Sequence, residues 1–274
     1  MFSLTKVYQV IVVAIFCLAS AFAEEPKKSN VINEGELELI VPGELNVATE
    51  ASCPPYSMAD ETGKIDGLEA RLFTEIAKRL NLKYKPVIVK WDSILMGLQS
   101  GRYDVVSTPV DISAERQKRI LFADSWLVSG GRLLTLKSSA LSNPSDVKGK
   151  TIGVLVASTW EDLAKNNGAG SIKTYKSTME CVQGVINGDV DGMIVDGLEA
   201  AYAAKLAPVP LKVSKESFNE IHKGFALRFD QPNLTKAINR IMSELMQDGT
   251  YASIVVEFVD FDPRPKNPIR SLFK

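Results

Sequence analysis

Along most of the chain, stretches with apolar residues at helical spacing take turns with short apolar runs. Leu45–Thr49 reads as a strand. Leu68, Leu72, Phe73, Ile76, Ala77 and Leu80 share one face of a helix predicted over Gly67–Leu80, which Asn81 ends. A strand is predicted at Tyr84–Val89, a helix from Asp92 to Gln99 closed by Gly101, and a buried strand at Asp104–Ser107. The same order returns near Lys150. Thr151–Val156 is a strand, a helix capped by Ser158 or Thr159 runs toward Lys165, and Ile172–Tyr175 is a strand. Thr178–Ile186 is a helix, Gly192–Val195 a strand, and Leu198–Lys205 a helix. Two helices, Asn233–Met246 and Thr250–Phe258, close the chain.

Each copy is a βαβαβ unit, which implies a parallel sheet with helices on its faces. Both share a local phrase: Leu98 to Asp104 (LQSGRYD) parallels Val185 to Asp191 (VINGDVD), a helix end, a glycine and an aspartate opening a buried strand. The expected fold class is therefore α/β, two α/β lobes joined by a two-stranded hinge with a cleft between them. Arg132–Leu136 and Gly224–Phe229 are apolar, strand-like and glycine-flanked, and are read as the two crossings. That divides the chain into 44–131 as the first part of lobe one, 132–227 as lobe two, and 228–274 as the return. In such sheets ligands sit at the carboxyl ends of strands. The loops after Thr49, Ser107, Val156 and Val195 should surround the cleft.

The N-terminus follows a different pattern. Lys6 precedes an unbroken apolar run, Val10–Ala19, and then Ala21-Phe22-Ala23. A basic start, a short apolar core and an A-x-A exit predict a signal peptide over 1–23, cleaved after Ala23. The core is too short for a membrane span, which takes about 20 apolar residues, so the mature chain is expected in the periplasm. Residues 24–43 read as a flexible lead-in. A net charge of −1 over 274 residues excludes the basic field expected of a nucleic-acid binder. No zinc-ligand spacing or phosphate loop appears, and no cofactor or metal is expected. Beyond the signal segment only Cys53 and Cys181 remain, read as unpaired.

Several phrases, in order, are similar to a known family. They are Pro54-Pro55-Tyr56, Gly67-Leu68-Glu69, Trp91-Asp92 with Leu98–Asp104, Ile112-Ser113-Ala114-Glu115-Arg116, Phe122-Ala123-Asp124, Val147–Val154 (VKGKTIGV) and Asp248-Gly249-Thr250-Tyr251. Together they resemble periplasmic binding proteins for polar amino acids, of the type II periplasmic binding fold, over about Leu45 to Phe258. The resemblance implies a monomer that captures a small-molecule solute by hinge closure and passes it to an inner-membrane ABC permease. It puts a ligand-carboxylate clamp on Arg116, a role suited to a planar, always-charged fork. It puts the ligand ammonium on Asp196, which the local pattern alone would read as a helix N-cap. It assigns Ser158 and Thr159, at a helix N-terminus, to the carboxylate as well. Thr108 offers a polar contact, and Trp91 covers the ligand side chain. Trp160 reads equally as core or cleft.

Three positions depart from that pattern. Cys53 stands where an aromatic often sits, Asp111 where a serine or threonine usually does, and Glu50 replaces a smaller residue. Glu50, Asp111 and Asp196 against one arginine is an unbalanced cluster, which predicts a cationic side group on the solute, flanked by Trp91. Asp111 could instead pair with Arg116 or cap a helix near Ser113. Two other functions stay open. One is a cyclohexadienyl dehydratase-like enzyme using Glu50 or Asp111 as an acid. The other is the binding component of a sensory system.

Overall fold

The computed structural model describes residues 37–259 and 262–273. The signal segment and the lead-in as far as residue 36 lie outside the described residues. From Leu37 onward the lead-in is tied down rather than loose. Leu37 is buried, the Ile40 amide donates to Asp104, and Glu38 accepts from Asn233 and Leu234 at the start of a C-terminal helix.

The first half runs β1 (Glu44–Thr49), β2 (Ser52–Cys53), β3 (Ser57–Ala59), β4 (Ile65–Asp66), α1 (Leu68–Arg79), β5 (Lys83–Ile88), α2 (Trp91–Gln99) and β6 (Val105–Asp111). Then come α3 (Ala114–Gln117), β7 (Leu121–Phe122) and β8 (Leu127–Ser129). The second half runs β9 (Gly131–Leu136), β10 (Thr151–Leu155), α4 (Thr159–Asn166), β11 (Ser171–Tyr175), α5 (Thr178–Asn187), β12 (Gly192–Asp196), α6 (Gly197–Leu206) and β13 (Leu211–Val213). The chain closes with β14 (Ile221–Leu227), α7 (Pro232–Gln247) and α8 (Thr250–Val255).

Two main sheets result. One has the order β5-β1-β6-β14-β7, with β8 also on β14; the other is β11-β10-β12-β9-β13. In each, the central strands are parallel, as βαβ units require, and the later strands join antiparallel. The two crossings therefore sit elsewhere than the sequence suggested. Arg132–Leu136 does not cross, because β9 hydrogen-bonds along β12 and β13 within the second sheet. Gly224–Phe229 does not cross either, because β14 pairs with β6, β7 and β8 in the first. The chain passes between sheets near Gly130 and returns over residues 214–220. An apolar run flanked by glycine looks alike as a connector or as an added antiparallel strand, and only the pairing partner separates them.

The first sheet is anchored by Phe225 of β14, whose ring meets Phe73 of α1 edge-on at 4.7 Å and stacks on Trp126 at 4.9 Å. Each such fully buried side chain stabilises by about 1.5–3 kcal/mol. The second sheet buries Met193 and Val195 on one face and Ile152, Val154 and Ile194 on the other. A small hairpin, β2-β3-β4, follows the first strand. It carries Tyr56, which is fully buried.

Gly67, before α1, has φ +124°, and a methyl there would run into the backbone of Tyr56 and Ser57. Gly67→Ala is expected to lower unfolding free energy by about 1–3 kcal/mol. Gly63→Ala, at a hairpin tip with φ +81° and open surroundings, should cost less. Urea unfolding of the two variants checks the order.

Candidate ligand-binding cleft

Strand ends deliver the chemistry. Strand β6 is buried along its whole length and carries Thr108 and, at its last position, Asp111. Strand β12 ends on Asp196. The turn after β10 leads through Ser158, the N-cap of α4, to Thr159 and Trp160. Trp91 opens α2, and Arg116 lies in the short helix α3.

These residues meet, with the two sheets closed on each other. Asp111 accepts a hydrogen bond from the Thr159 hydroxyl of the opposite lobe. The Tyr56 hydroxyl donates to Asp196 Oδ1 at 2.7 Å, also across the cleft. The Arg116 guanidinium donates to the main-chain oxygen of Asp111 at 3.2 Å, and its carbon lies 5.3 Å from the Trp91 ring centre. Its nearest carboxylate oxygen, Asp111 Oδ2, stands 4.0 Å away, beyond hydrogen-bond reach. The rest of the fork is uncommitted among the described residues.

Asp196 fills two roles. Oδ1 caps α6 by accepting from the Leu198 amide at 2.9 Å, while buried Oδ2 accepts no hydrogen bond among the described residues. The buried Thr108 hydroxyl likewise has no hydrogen-bond partner there. Ser158 turns its hydroxyl back to Leu155 O at 2.6 Å and makes no side-chain cap bond to its helix. Trp160 is buried in the second lobe's core. Asp111 does not cap α3; Ser113 does, accepting from the Arg116 amide.

Tyr56 and Lys223 both escaped the sequence reading as cleft residues. Lys223 of β14 puts Nζ 2.6 Å from Asp111 Oδ1 and 3.2 Å from Asp196 Oδ2. The second is an ion pair by distance but is not aligned as a hydrogen bond. The signal was a lone charge in a strand otherwise apolar after it, since lysine is almost never fully buried unpaired. Counting Lys223 corrects the charge balance behind the cationic-solute expectation, because Asp111 already has its cation. Burial would raise the Asp111 carboxyl, but Lys223, Thr159 and Arg116 outweigh it and hold it below the usual range. Burial would lower the Lys223 ammonium, and Asp111 and Asp196 more than reverse that.

Beneath lies a group of buried carboxyls. Glu69 receives the Thr49 hydroxyl at 2.7 Å, and Glu199 receives that of Thr178 at 2.5 Å. Burial lifts Glu69 to about 8 against the pull of Thr49. Burial, then the charge of Asp196, lifts Glu199 to about 7. Glu50 is pushed well above the usual range by burial and then by Glu199, Glu69 and Asp92. Cys53 and Cys181 are both free and buried. Burial and Glu199 push the Cys53 thiol up, which disfavours the reactive thiolate. A separate surface cavity of 360 Å³ lies beside the hinge, lined by Ser129, Arg132 and Asn219 among others. Its lining holds none of the site residues expected from the sequence.

Raised carboxyls set a pH dependence. Between their ordinary value near 4.5 and about 8, the folded protein holds protons at Glu69 and Glu199 that the unfolded chain has lost, so stability falls as pH rises. The lowered aspartates, such as Asp248 at about 2, act below that window. The melting temperature should fall from pH 5 to pH 8, and Glu69→Gln should flatten the fall; scanning fluorimetry across buffers measures both.

Comparison with known proteins bears on the same cleft. The L-cystine-binding protein TcyJ of Escherichia coli (strain K12) is 33% identical over 215 residues, covering 77% of this chain and 81% of that protein. The crystal structure of the ancestral amino acid-binding protein AncCDT-1, a precursor of cyclohexadienyl dehydratase, superposes with TM-score 0.74 at 32% identity, covering 79% of this chain and 95% of that one. An ancestral arginine-binding protein bound to glutamine gives TM-score 0.76 at 32% identity, over 81% and 100% of the two chains. The fold is that of amino-acid-binding proteins. Residues 45–260 match the bacterial extracellular solute-binding proteins, family 3, and the chain belongs to that family.

Proposed function

We propose that this protein captures an α-amino acid in the periplasm and delivers it to an ABC permease by closing its two lobes. One observation carries the reading. The same buried cleft holds an arginine whose fork has no carboxylate in hydrogen-bond reach, beside an aspartate oxygen and a threonine hydroxyl that make no hydrogen bond among the described residues, the aspartate oxygen having only the Lys223 ammonium at 3.2 Å. A zwitterion completes all three. Its carboxylate takes two parallel bonds from Arg116, and its ammonium takes Asp196 Oδ2. Thr108 supplies or accepts one further bond. Trp91, under the guanidinium, forms a wall for the side group.

The remaining expected residues have narrower parts. Thr159 holds Asp111 rather than the solute, so its hydroxyl acts as a latch between lobes. Ser158 gives its own amide to Leu155 O at 3.2 Å, and the amides after it, at the start of α4, have no side-chain cap and are the ones open to a carboxylate. Glu50 is buried, with Glu199, Glu69 and Asp92 as its charged neighbours. The sequence expectation of a cationic side group rested on Glu50 and Asp111 both being unpaired, and Lys223 pairs Asp111. The A-x-A pattern ending at Ala23 supports export and cleavage there. Relatives of this family are amino-acid-binding components of ABC transporters.

A second reading, a lyase on the same fold, has one observation behind it. Glu199 is lifted to about 7, the strength expected of a general acid at neutral pH. Incubation with prephenate or arogenate tests it: the binding reading expects no aromatised product, and turnover would replace it.

Thermal unfolding of the chain from Glu24 against an amino-acid panel tests the main reading. A solute at 100 times its dissociation constant should add about 2.7 kcal/mol. Arg116→Met and Asp196→Asn should each weaken binding by about 2–5 kcal/mol, the cost of removing one partner of a buried charge pair. Arg116→Lys should not restore it, since lysine lacks the fork. No shift with any amino acid in the wild type would overturn the reading.

A further inference from the structure

Lys223 is not needed to hold a zwitterion, yet it sits at the centre of the cleft. Its Cα is paired with that of Asp111 across β14 and β6, so the two side chains leave the same face of the sheet. Nζ is hydrogen-bonded to Asp111 Oδ1, lies 3.2 Å from Asp196 Oδ2 and stands 5.4 Å from the centre of the Trp160 ring. The residue is 3% exposed.

The charge pattern follows. Arg116 and Lys223 face Asp111 and Asp196, two against two. Glu50, with no cation paired to it among the described residues, is held toward its neutral form by burial. These four charges balance before a solute enters, and a zwitterion keeps that balance. A solute with an added ammonium or guanidinium brings one unmatched charge. Asp111, the carboxylate that would receive it, is occupied on one oxygen by Lys223 and on the other by Thr159. The α-ammonium of any amino acid meets Lys223 across Asp196 Oδ2, an oxygen that accepts no hydrogen bond among the described residues and can serve both, whereas a second cation finds both oxygens of Asp111 taken and stands against the buried lysine with neither a carboxylate nor water to offset it.

We propose that Lys223 is a specificity-determining residue: its ammonium fills the subsite on Asp111 that a cationic side group would use, and so restricts the cleft to amino acids with uncharged side groups. This rests on the reading of the cleft as an α-amino-acid site. Lysine is suited to the task. It is a compact point charge on a flexible stem, and the β6–β14 register brings that stem to Asp111.

The test is calorimetric titration of L-glutamine, L-serine and L-methionine against L-arginine, L-lysine and L-ornithine. The proteins are the wild type, Lys223→Arg, Lys223→Met and Asp111→Asn/Lys223→Met, each first checked for a cooperative melt. The readout is the ratio of the tightest cationic to the tightest uncharged dissociation constant. The wild type should favour an uncharged solute at least about tenfold, which is about 1.4 kcal/mol. Lys223→Arg should keep that preference. Lys223→Met frees Asp111 and should shift the ratio at least about tenfold toward cationic solutes. The double variant has no free carboxylate to recruit a cation and should lose that shift. Should Lys223→Met fail to fold, the wild-type ratio still decides: a preference for arginine, lysine or ornithine overturns the proposal. Amino-acid binding with the same ratio in wild type and Lys223→Met overturns it while leaving the function standing. Absence of any amino-acid binding in the wild type overturns both.

Discussion

A single buried ammonium, Lys223 Nζ, shared by Asp111 and Asp196, is the constraint on which the closed cleft depends. Two carboxylates this deep would repel each other and resist burial. Charges taken out of water cost several kcal/mol each unless they are paired and hydrogen-bonded. Lys223 and Asp111 belong to the first sheet and Asp196 to the second, so the set is complete only with the lobes together. Tyr56 on Asp196 and Thr159 on Asp111 extend the same logic, one hydroxyl crossing in each direction. Closure therefore gathers the charged groups into one network, and leaves the Arg116 fork and Asp196 Oδ2 as the members with capacity to spare.

The fold explains why these residues and not others converge. Parallel strands end together, and the carboxyl ends of β6, β10 and β12 carry Asp111, the Ser158–Thr159 turn and Asp196. The antiparallel strand β14 contributes differently. It runs back along β6, and its register places Lys223 opposite the last residue of that strand. The hairpin β2-β3-β4 adds the third side. Gly67 allows the backbone to pass close to Tyr56, and the tyrosine reaches the second lobe from there. A cleft built from strand ends and one hairpin needs little of its own secondary structure, so its shape is set by sheet packing on either side.

Much of this was legible in the sequence. Helical spacing marked α1 within a residue or two of its ends, and the repeated LQSGRYD-like phrase marked the two-lobed plan. Glu50, Trp91, Thr108, Asp111, Arg116, Ser158, Thr159 and Asp196 were singled out; contacts link Arg116 to Trp91 and Asp111, and Asp111 to Thr159 and, through Lys223, to Asp196, while Glu50 lies among buried carboxyls. What stayed hidden was pairing between distant elements. The charge balance failed because Lys223 lies 112 residues from Asp111, in a strand read partly as a connector. Tyr56 entered the sequence reading only within the Pro54-Pro55-Tyr56 phrase, and nothing local tells that its hydroxyl crosses a cleft. Glu69 entered only within the Gly67-Leu68-Glu69 phrase; its burial follows from the packing of α1 against the sheet and hairpin. Periodicity reports which face is inside, whereas partner identity is a property of the assembled sheets.

The central claim is that both ends of an α-amino acid are held, the carboxylate at Arg116 and the ammonium at Asp196. The most direct measurement is titration calorimetry with the solute of largest thermal shift, beside its N-acetyl and its carboxamide derivatives. The account predicts that each derivative binds weaker by about 2 kcal/mol or more, because each loses one charge-assisted contact, to Arg116 or to Asp196 Oδ2. A derivative that binds as tightly as the free amino acid would contradict it.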